Sequence, residues 1–284
     1  MTSVQPIPPQ TAPQSDGRWP GLVQAWNSAG QEVAPGGAAG LILVCEHASN
    51  ATAAPWGDLG VSPAVLEAHV AWDPGALGLA RALGAALAPS CGGVELVHAP
   101  LSRLIHDLNR SPDRPGAMPE ASEVHAIPGN RGLDAAARQQ RVEALYLPFH
   151  TTLHARIARQ LAMGRRPVML TIHSFTPIWH GQKRAVEFGV IHDADPDLAQ
   201  AIVQAAPGCG LETRLNEPYS AADHVTHTLR LQATPYGLAN AMLELRNDLI
   251  ATPQAQADMA AHLAPVLAAA MARRAETEGA CRAS

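Results

Sequence analysis

The hydrophobic residues fall into short unbroken runs separated by stretches with helical spacing. Leu41-Ile42-Leu43-Val44-Cys45 is apolar throughout, which predicts a strand buried on both faces under covering helices. Residues 62–87 repeat apolar side chains at three- and four-residue intervals. A helix is expected there, with Ser62 as N-cap, Pro63 in the first helical position and a break near Asp73-Pro74-Gly75. Val94-Glu95-Leu96-Val97 predicts a second strand. Residues 134–163 are rich in helix formers and predict a helix interrupted near Pro148. Residues 167–172 then predict a buried strand. Further strands are expected at 186–191, 211–215 and 241–245, with helices at 196–205 and in the Ala-rich stretch 254–274.

Strands alternating with helices predict a three-layer α/β/α architecture around a central mixed, mostly parallel sheet. Residues 1–39, rich in Pro, Gly, Gln and Ser with no sustained apolar period, are expected to form an irregular N-terminal arm. Residues 40–278 are expected to be one α/β domain and 279–284 a C-terminal tail. There is no internal repeat.

Composition narrows the function. The 284 residues are 47% hydrophobic and 16% charged, enough to bury a large core. The net charge of -5 is spread without blocks of either sign, which argues against nucleic acid or an anionic membrane as partner and for a small molecule or peptide. The N-terminus lacks a basic region followed by an apolar one, and no stretch is long and uncharged enough to span a bilayer, so a cytoplasmic location is expected. Cys45, Cys91, Cys209 and Cys281 have no C-x-x-C pairing. That fits a reducing compartment and directs any metal to nitrogen and oxygen ligands, for which 13 histidines supply candidates.

In open α/β sheets ligands gather beyond the carboxyl ends of the strands. Glu46-His47-Ala48-Ser49-Asn50 follows the first buried strand, His173-Ser174-Phe175 follows the strand ending at Ile172, and Glu244 lies inside the late strand. A hydrolytic metal needs about three protein ligands with one position left for water, and His47 and His173 fit as two. Asp73 is preferred as the third. Along an extended strand Glu46 faces away from His47, so it competes only if the strand has already ended. Arg103 and Arg110, in Leu101-Ser102-Arg103-Leu104-Ile105-His106-Asp107-Leu108-Asn109-Arg110, suit an acidic substrate or a polarised carbonyl. Glu244, a carboxylate in apolar surroundings, is the general-base candidate. Ser174 and Tyr219 are substrate-binding candidates. The pairs His150 with His154 and His224 with His227 read as helix face or cavity wall, and Cys45 as a core residue.

Together the motifs resemble the N-formylglutamate amidohydrolase family. They are Cys45-Glu46-His47-Ala48-Ser49-Asn50, Trp72-Asp73-Pro74-Gly75, Asp107-Leu108-Asn109-Arg110, Ile172-His173-Ser174-Phe175, Asn216-Glu217-Pro218-Tyr219-Ser220 and the segment from Glu244 to Ile250, in the family's order. The resemblance implies a fold similar to the zinc-dependent exopeptidases (phosphorylase/hydrolase-like) and a divalent metal, zinc, that activates water against an amide carbonyl. In those relatives a glutamate three residues after the first histidine also binds zinc. Here that position is Asn50, which leaves the third ligand open between Asp73 and Glu46. By the same resemblance Asn109 and Arg110 look like the pair that grips a substrate carboxylate and Glu244 like the glutamate that activates water. From its donor chemistry Arg103 is expected to stabilise the developing oxyanion. N-formylglutamate is the default substrate. The alternatives are a carboxypeptidase- or deacylase-like hydrolase and a non-catalytic ligand-binding relative. Oligomeric state is not encoded in these patterns.

Overall fold

The apolar run Leu41–Cys45 lies in the middle of an eight-stranded sheet in the computed structural model, which describes Trp19 and residues 22–283. In chain order the strands are β1 (Val23–Trp26), β2 (Glu32–Val33), β3 (Leu41–Cys45), β4 (Val94–His98), β5 (Ala121–Ser122), β6 (His125–Ala126), β7 (Val168–Phe175), β8 (Ile178–Trp179), β9 (Gln182–Lys183), β10 (Phe188–Ile191), β11 (Thr213–Leu215) and β12 (Asn240–Arg246). The helices are α1 (Pro63–Glu67), α2 (Ala76–Cys91), α3 (Ala135–Arg141), α4 (Leu147–Ala162), α5 (Asp197–Ala205) and α6 (Pro253–Ala283). The large sheet has the order β11-β10-β12-β7-β3-β4-β1-β2, while β5 with β6 and β8 with β9 form separate two-stranded ribbons. Strands β12, β7, β3 and β4 run parallel, and β10 and β1 are antiparallel to their neighbours β12 and β4. The sheet is therefore mixed around a parallel centre.

Strand alternation sorts the layers. Gln24 and Trp26 point to α2, where Arg81 donates to Gln24 Oε1 at 2.8 Å and Gly84 faces the Trp26 ring. Glu95, one residue out of phase with Val94 and Leu96, meets Arg156 of α4 on the opposite face at 3.5 Å. Helices α5 and α6 complete the α2 layer, and α4 with the turns over residues 229–236 form the other. The resulting α/β/α sandwich is the expected architecture.

The carboxyl ends of β3, β7 and β12 open on one edge. Pairing of β3 with β7 stops at Val44 and Thr171, whereas β7 stays paired with β12 as far as Phe175 and Arg246. The divergence of β3 from β7 opens a crevice there.

Three expectations need correction. Residues 23–26 and 32–33, assigned to an irregular arm, are strands of the large sheet. Strands of four and two residues are held by backbone pairing and are too short to show an apolar period. Of the remainder of the expected arm, residues 1–18, 20 and 21 lie outside the described residues. The expected tail is also replaced, because α6 continues through Ala283 with no proline after Pro265 to end it. The helix at 134–163 is not interrupted at Pro148. It passes through a π turn, Val142–Tyr146, directly into α4. Pro148 lacks the N–H that Ala144 O would receive in an unbroken α-helix, and Trp19 Nε1 donates there instead at 2.7 Å. No described helix is long and apolar enough to cross a membrane.

A Cβ at Gly84 would sit 2.5–2.7 Å from the Trp26 ring. Gly84→Val is expected to destabilise the protein by about 1–3 kcal/mol through overpacking between α2 and β1. Urea unfolding with an unchanged midpoint would show that this layer accepts the added volume.

Candidate active site

Three donor atoms converge at the crevice. His47 lies just past the end of β3, His173 lies in β7, and Asp73 lies in the turn before α2. The Asp73 backbone N–H donates to His47 O at 2.9 Å, so the turn is tied directly to the first imidazole. Gly75 makes the turn possible: its φ is +83°, and a Cβ there would collide with Ile250 O. His47 Nδ1 is 3.2 Å from His173 Nδ1 and 3.3 Å from Asp73 Oδ2, and His173 Nδ1 is 3.0 Å from the same oxygen. All three residues are buried.

These separations fit a metal site. Ligand atoms about 2.0–2.1 Å from a tetrahedral zinc lie roughly 3.3 Å from one another. The far side of each imidazole is matched to a carboxylate. His47 Nε2 lies 2.7 Å from Asp107 Oδ1, and His173 Nε2 lies 3.1 Å from Glu46 Oε2. The second approach is close but not aligned as a hydrogen bond, so both atoms remain buried without a bonded partner. With a proton on each Nε2, both Nδ1 lone pairs and the Asp73 oxygen point at one place. For His47 this is the arrangement in which a hydrogen-bonded carboxylate fixes the tautomer of a ligating histidine, and for His173 the nearby Glu46 charge favours the same Nε2 proton.

The electrostatics agree. Burial depresses protonation of both histidines, and Arg103 adds to this for His47. Asp107 and Asp73 outweigh these effects for His47, as Glu46 and Asp73 do for His173, and both stay above the ordinary imidazole range. Burial would raise Asp73 and Asp107, but His47 and His173 hold the first, and Arg103 and His47 the second, well below ordinary carboxylates. A cation among these groups would take over the neutralising role of the imidazole protons.

Glu244 sits beside His173, its partner in the β12–β7 register, and therefore on the same face of the sheet. It is 5% exposed, and its Oε2 has no hydrogen-bond partner among the described residues. Burial lifts its pKa to about 7. His173 pulls it down, and Asp73 adds to the rise. Both residues line a cavity of about 500 Å³, together with His47, Asp73 and Arg103. At the rim His69 Nε2 meets Glu123 Oε1 of the β5–β6 turn at 2.8 Å.

The remaining expected residues also reach this cavity. Arg103 is already engaged, with Nη2 2.6 Å from Asp107 Oδ2 and Nη1 3.4 Å from Asp73 Oδ1. Asn109 accepts from Thr228 N at 3.0 Å and donates to Val225 O. Arg110 Nη1 donates to Asp223 O and His224 O at 2.9 and 2.8 Å. Ser174 Oγ donates to Pro74 O at 2.8 Å, while its N–H donates to Asp73 Oδ2 at 3.2 Å. Tyr219 accepts from Arg184.

Glu46 lies behind His173 and is fully buried, so between the two open candidates Asp73 is the one that joins the imidazoles. Asp107 and Arg184 were not singled out from sequence. Asp107 directly follows the buried His106 in a polar segment and carried some signal, whereas Arg184, in an exposed-looking ribbon, carried none. His150 is a core residue bonded to Leu108 O at 2.9 Å. Cys45 is buried, and desolvation raises its thiol pKa well above normal, which does not suit a nucleophile.

A family model described as N-formylglutamate amidohydrolase matches residues 39–251. Among solved structures, a gene product from Agrobacterium tumefaciens is 46% identical, with 89% of this chain and 95% of that chain covered and a TM-score of 0.81. The N-formylglutamate amidohydrolase from Ralstonia eutropha JMP134 has a similar fold at 17% identity, with 89% and 99% covered and a TM-score of 0.59. No curated protein matches the chain.

Two outcomes follow from the electrostatics. Asp107→Asn, which weakens the carboxylate behind His47, is expected to lower zinc affinity about 10–100-fold in chelator competition. An unchanged affinity would show that Asp107 does not set the His47 tautomer. Glu244 titrates near 7 in the folded protein against an ordinary 4.5, so the folded state keeps a proton that the unfolded chain has released. This costs stability progressively as pH rises from about 4.5 to about 7. Metal-free Glu244→Gln is therefore expected to match wild type near pH 4.5 and to exceed it by about 1–3 kcal/mol at pH 8 in urea unfolding. A pH-independent difference would remove the basis for the raised value.

Proposed function

Because the chain belongs to the N-formylglutamate amidohydrolase family, a family of hydrolases, we propose that it cleaves the amide of a small N-acyl amino acid, by default N-formylglutamate, giving formate and glutamate. The observation that carries this reading is the convergence of His47 Nδ1, Asp73 Oδ2 and His173 Nδ1 beside the Glu244 carboxylate in one cavity. A divalent cation, zinc by donor type, would be held by those three atoms and would supply Lewis-acid polarisation and a more acidic water.

The protein's own groups account for the rest of the reaction. Glu244 takes the proton of the attacking water as its oxygen bonds to the acyl carbon, then delivers that proton to the leaving nitrogen as the C–N bond breaks. A carboxyl group whose pKa burial pushes up suits both transfers. Arg103, braced by Asp73 and Asp107, keeps further N–H donors at the cavity for the charge that develops on the acyl oxygen. Arg110, with only Nη1 committed to backbone, offers its remaining donors to the amino acid carboxylate next to Asn109. Ser174, whose proton goes to Pro74 O, presents an acceptor. Tyr219 completes the substrate wall.

A cavity of about 500 Å³ also admits larger acyl groups, and this favours a deacylase-like activity as the second reading. A panel of N-formyl, N-acetyl and dipeptide derivatives of glutamate separates the two.

Zinc-loaded protein is expected to release formate from N-formyl-L-glutamate, and Glu244→Gln to lower kcat by at least about 10²-fold. As pH falls, wild-type kcat/KM is expected to decline through a limb at or below about pH 7, since a bound cation would draw the Glu244 carboxyl downward. Near wild-type turnover by Glu244→Gln would remove it from the mechanism.

A further inference from the structure

Arg184 has no place in the chemistry above, yet it sits at a junction of the cavity wall. It follows the β8–β9 ribbon, which turns at His180 and Gly181, both with positive φ. Its backbone N–H donates to Pro177 O at 2.8 Å, and its carbonyl accepts from Arg246 Nη1 at 3.3 Å. The guanidinium carbon lies 5.3 Å from the Phe175 ring, 4.9 Å from Trp179 and 5.1 Å from Tyr219. All three distances are within cation–π range. The rings come from the end of β7, from β8 and from the loop after β11, and each lines the cavity. Nη1 also donates to the Tyr219 hydroxyl oxygen at 3.1 Å.

A guanidinium has donors only, so the Tyr219 oxygen must act as acceptor in that bond and its own proton must point elsewhere. Among the described residues nothing accepts that proton. Burial and the nearby Glu244 hold the phenol pKa above its ordinary value even against Arg184, so the group stays protonated. We infer that Arg184 is a positioning residue that makes the Tyr219 hydroxyl a hydrogen-bond donor into the cavity, toward an oxygen of the substrate, and fixes the Trp179 ring as the adjoining wall. This rests on the reading of the cavity as an N-acyl amino acid site. A substrate oxygen at that wall gains a donor that is already oriented, and the ordering cost on binding is correspondingly low.

The test combines kinetics with a measurement that needs no substrate. With zinc-loaded protein and N-formyl-L-glutamate, Arg184→Met and Tyr219→Phe are each expected to raise KM about tenfold, the size of one lost hydrogen bond, with kcat within about threefold. Because one residue acts through the other, the double variant should lie within about twofold of either single one. An unchanged KM in Arg184→Met, or losses that multiply in the double variant, overturns the inference. If wild-type protein hydrolyses no N-formyl amino acid, the proposed function fails, and a second arm judges Arg184 by itself. In ¹⁵N-arginine NMR spectra the Arg184 Nε–H signal is expected upfield of exposed arginines, shifted by the three rings, and is expected to move in Tyr219→Phe. A signal at the exposed position, or one indifferent to Tyr219→Phe, overturns the inference even if Arg184→Met does not fold.

Discussion

Two imidazole nitrogens and a carboxylate oxygen pressed to 3.0–3.3 Å from one another form an arrangement that cannot be neutral and relaxed. Either protons or a cation must lie among them, and the surrounding chain decides which. Asp107 and Glu46 stand at the outer Nε2 atoms of His47 and His173, where a proton on each imidazole leaves both Nδ1 atoms to share one positive charge. Much of the remaining site serves to keep this cluster together. Asp73 is held by its backbone bond to His47 O and by Ser174 N, and Pro74 O takes the Ser174 hydroxyl, so the turn before α2 is fastened to both β3 and β7.

The sheet supplies the precision. His173 and Glu244 are neighbours on parallel strands, and their separation follows from the strand register rather than from a loop conformation. His47 lies where β3 has already ended and parted from β7, so the alternation that would send it to the opposite face no longer applies. Glu46, in the same turn just past Cys45, goes behind His173 instead. One residue of difference at a strand end thus separates a candidate ligand from the carboxylate that backs the other ligand.

Much of this could be read in the sequence, for a definite reason. Runs such as Leu41–Cys45 are apolar because both faces of the central strands are covered, and a polar residue at the end of such a run stands out. His47 and His173 stand out that way, Glu244 as a carboxylate inside an apolar run, and Asp73 as the carboxylate free of the strand alternation that sets Glu46 against His47. Strands β1 and β2 were missed because strands of four and two residues leave little side-chain pattern. Asp107 and Arg184 were missed as functional positions because their meaning lies in contacts distant in sequence. Asp107 meets His47 sixty residues away, and Arg184 meets Tyr219 across thirty-five. The third atom of the cluster comes from the Asp73 turn, whose course Gly75 permits.

The segment from Arg103 to Arg110 joins the two halves of the site. Arg103 and Asp107 face the histidine cluster, while Asn109 and Arg110 are tied to the backbone of residues 223–228. That backbone is a partition. Asp223 and Val225 line the large cavity, and His224 and Thr226 line a recess of about 80 Å³ behind it, with Arg110 reaching both. Arg110, beyond the grip on a carboxylate proposed for it, is therefore also a tether for that cavity wall. Loss of Arg110 removes a charge and frees that wall in a single change, whereas loss of Asn109, which accepts from Thr228 N and donates to Val225 O, acts mainly on the wall. The adjacent residues have different physical roles, although the motif presents them as a pair.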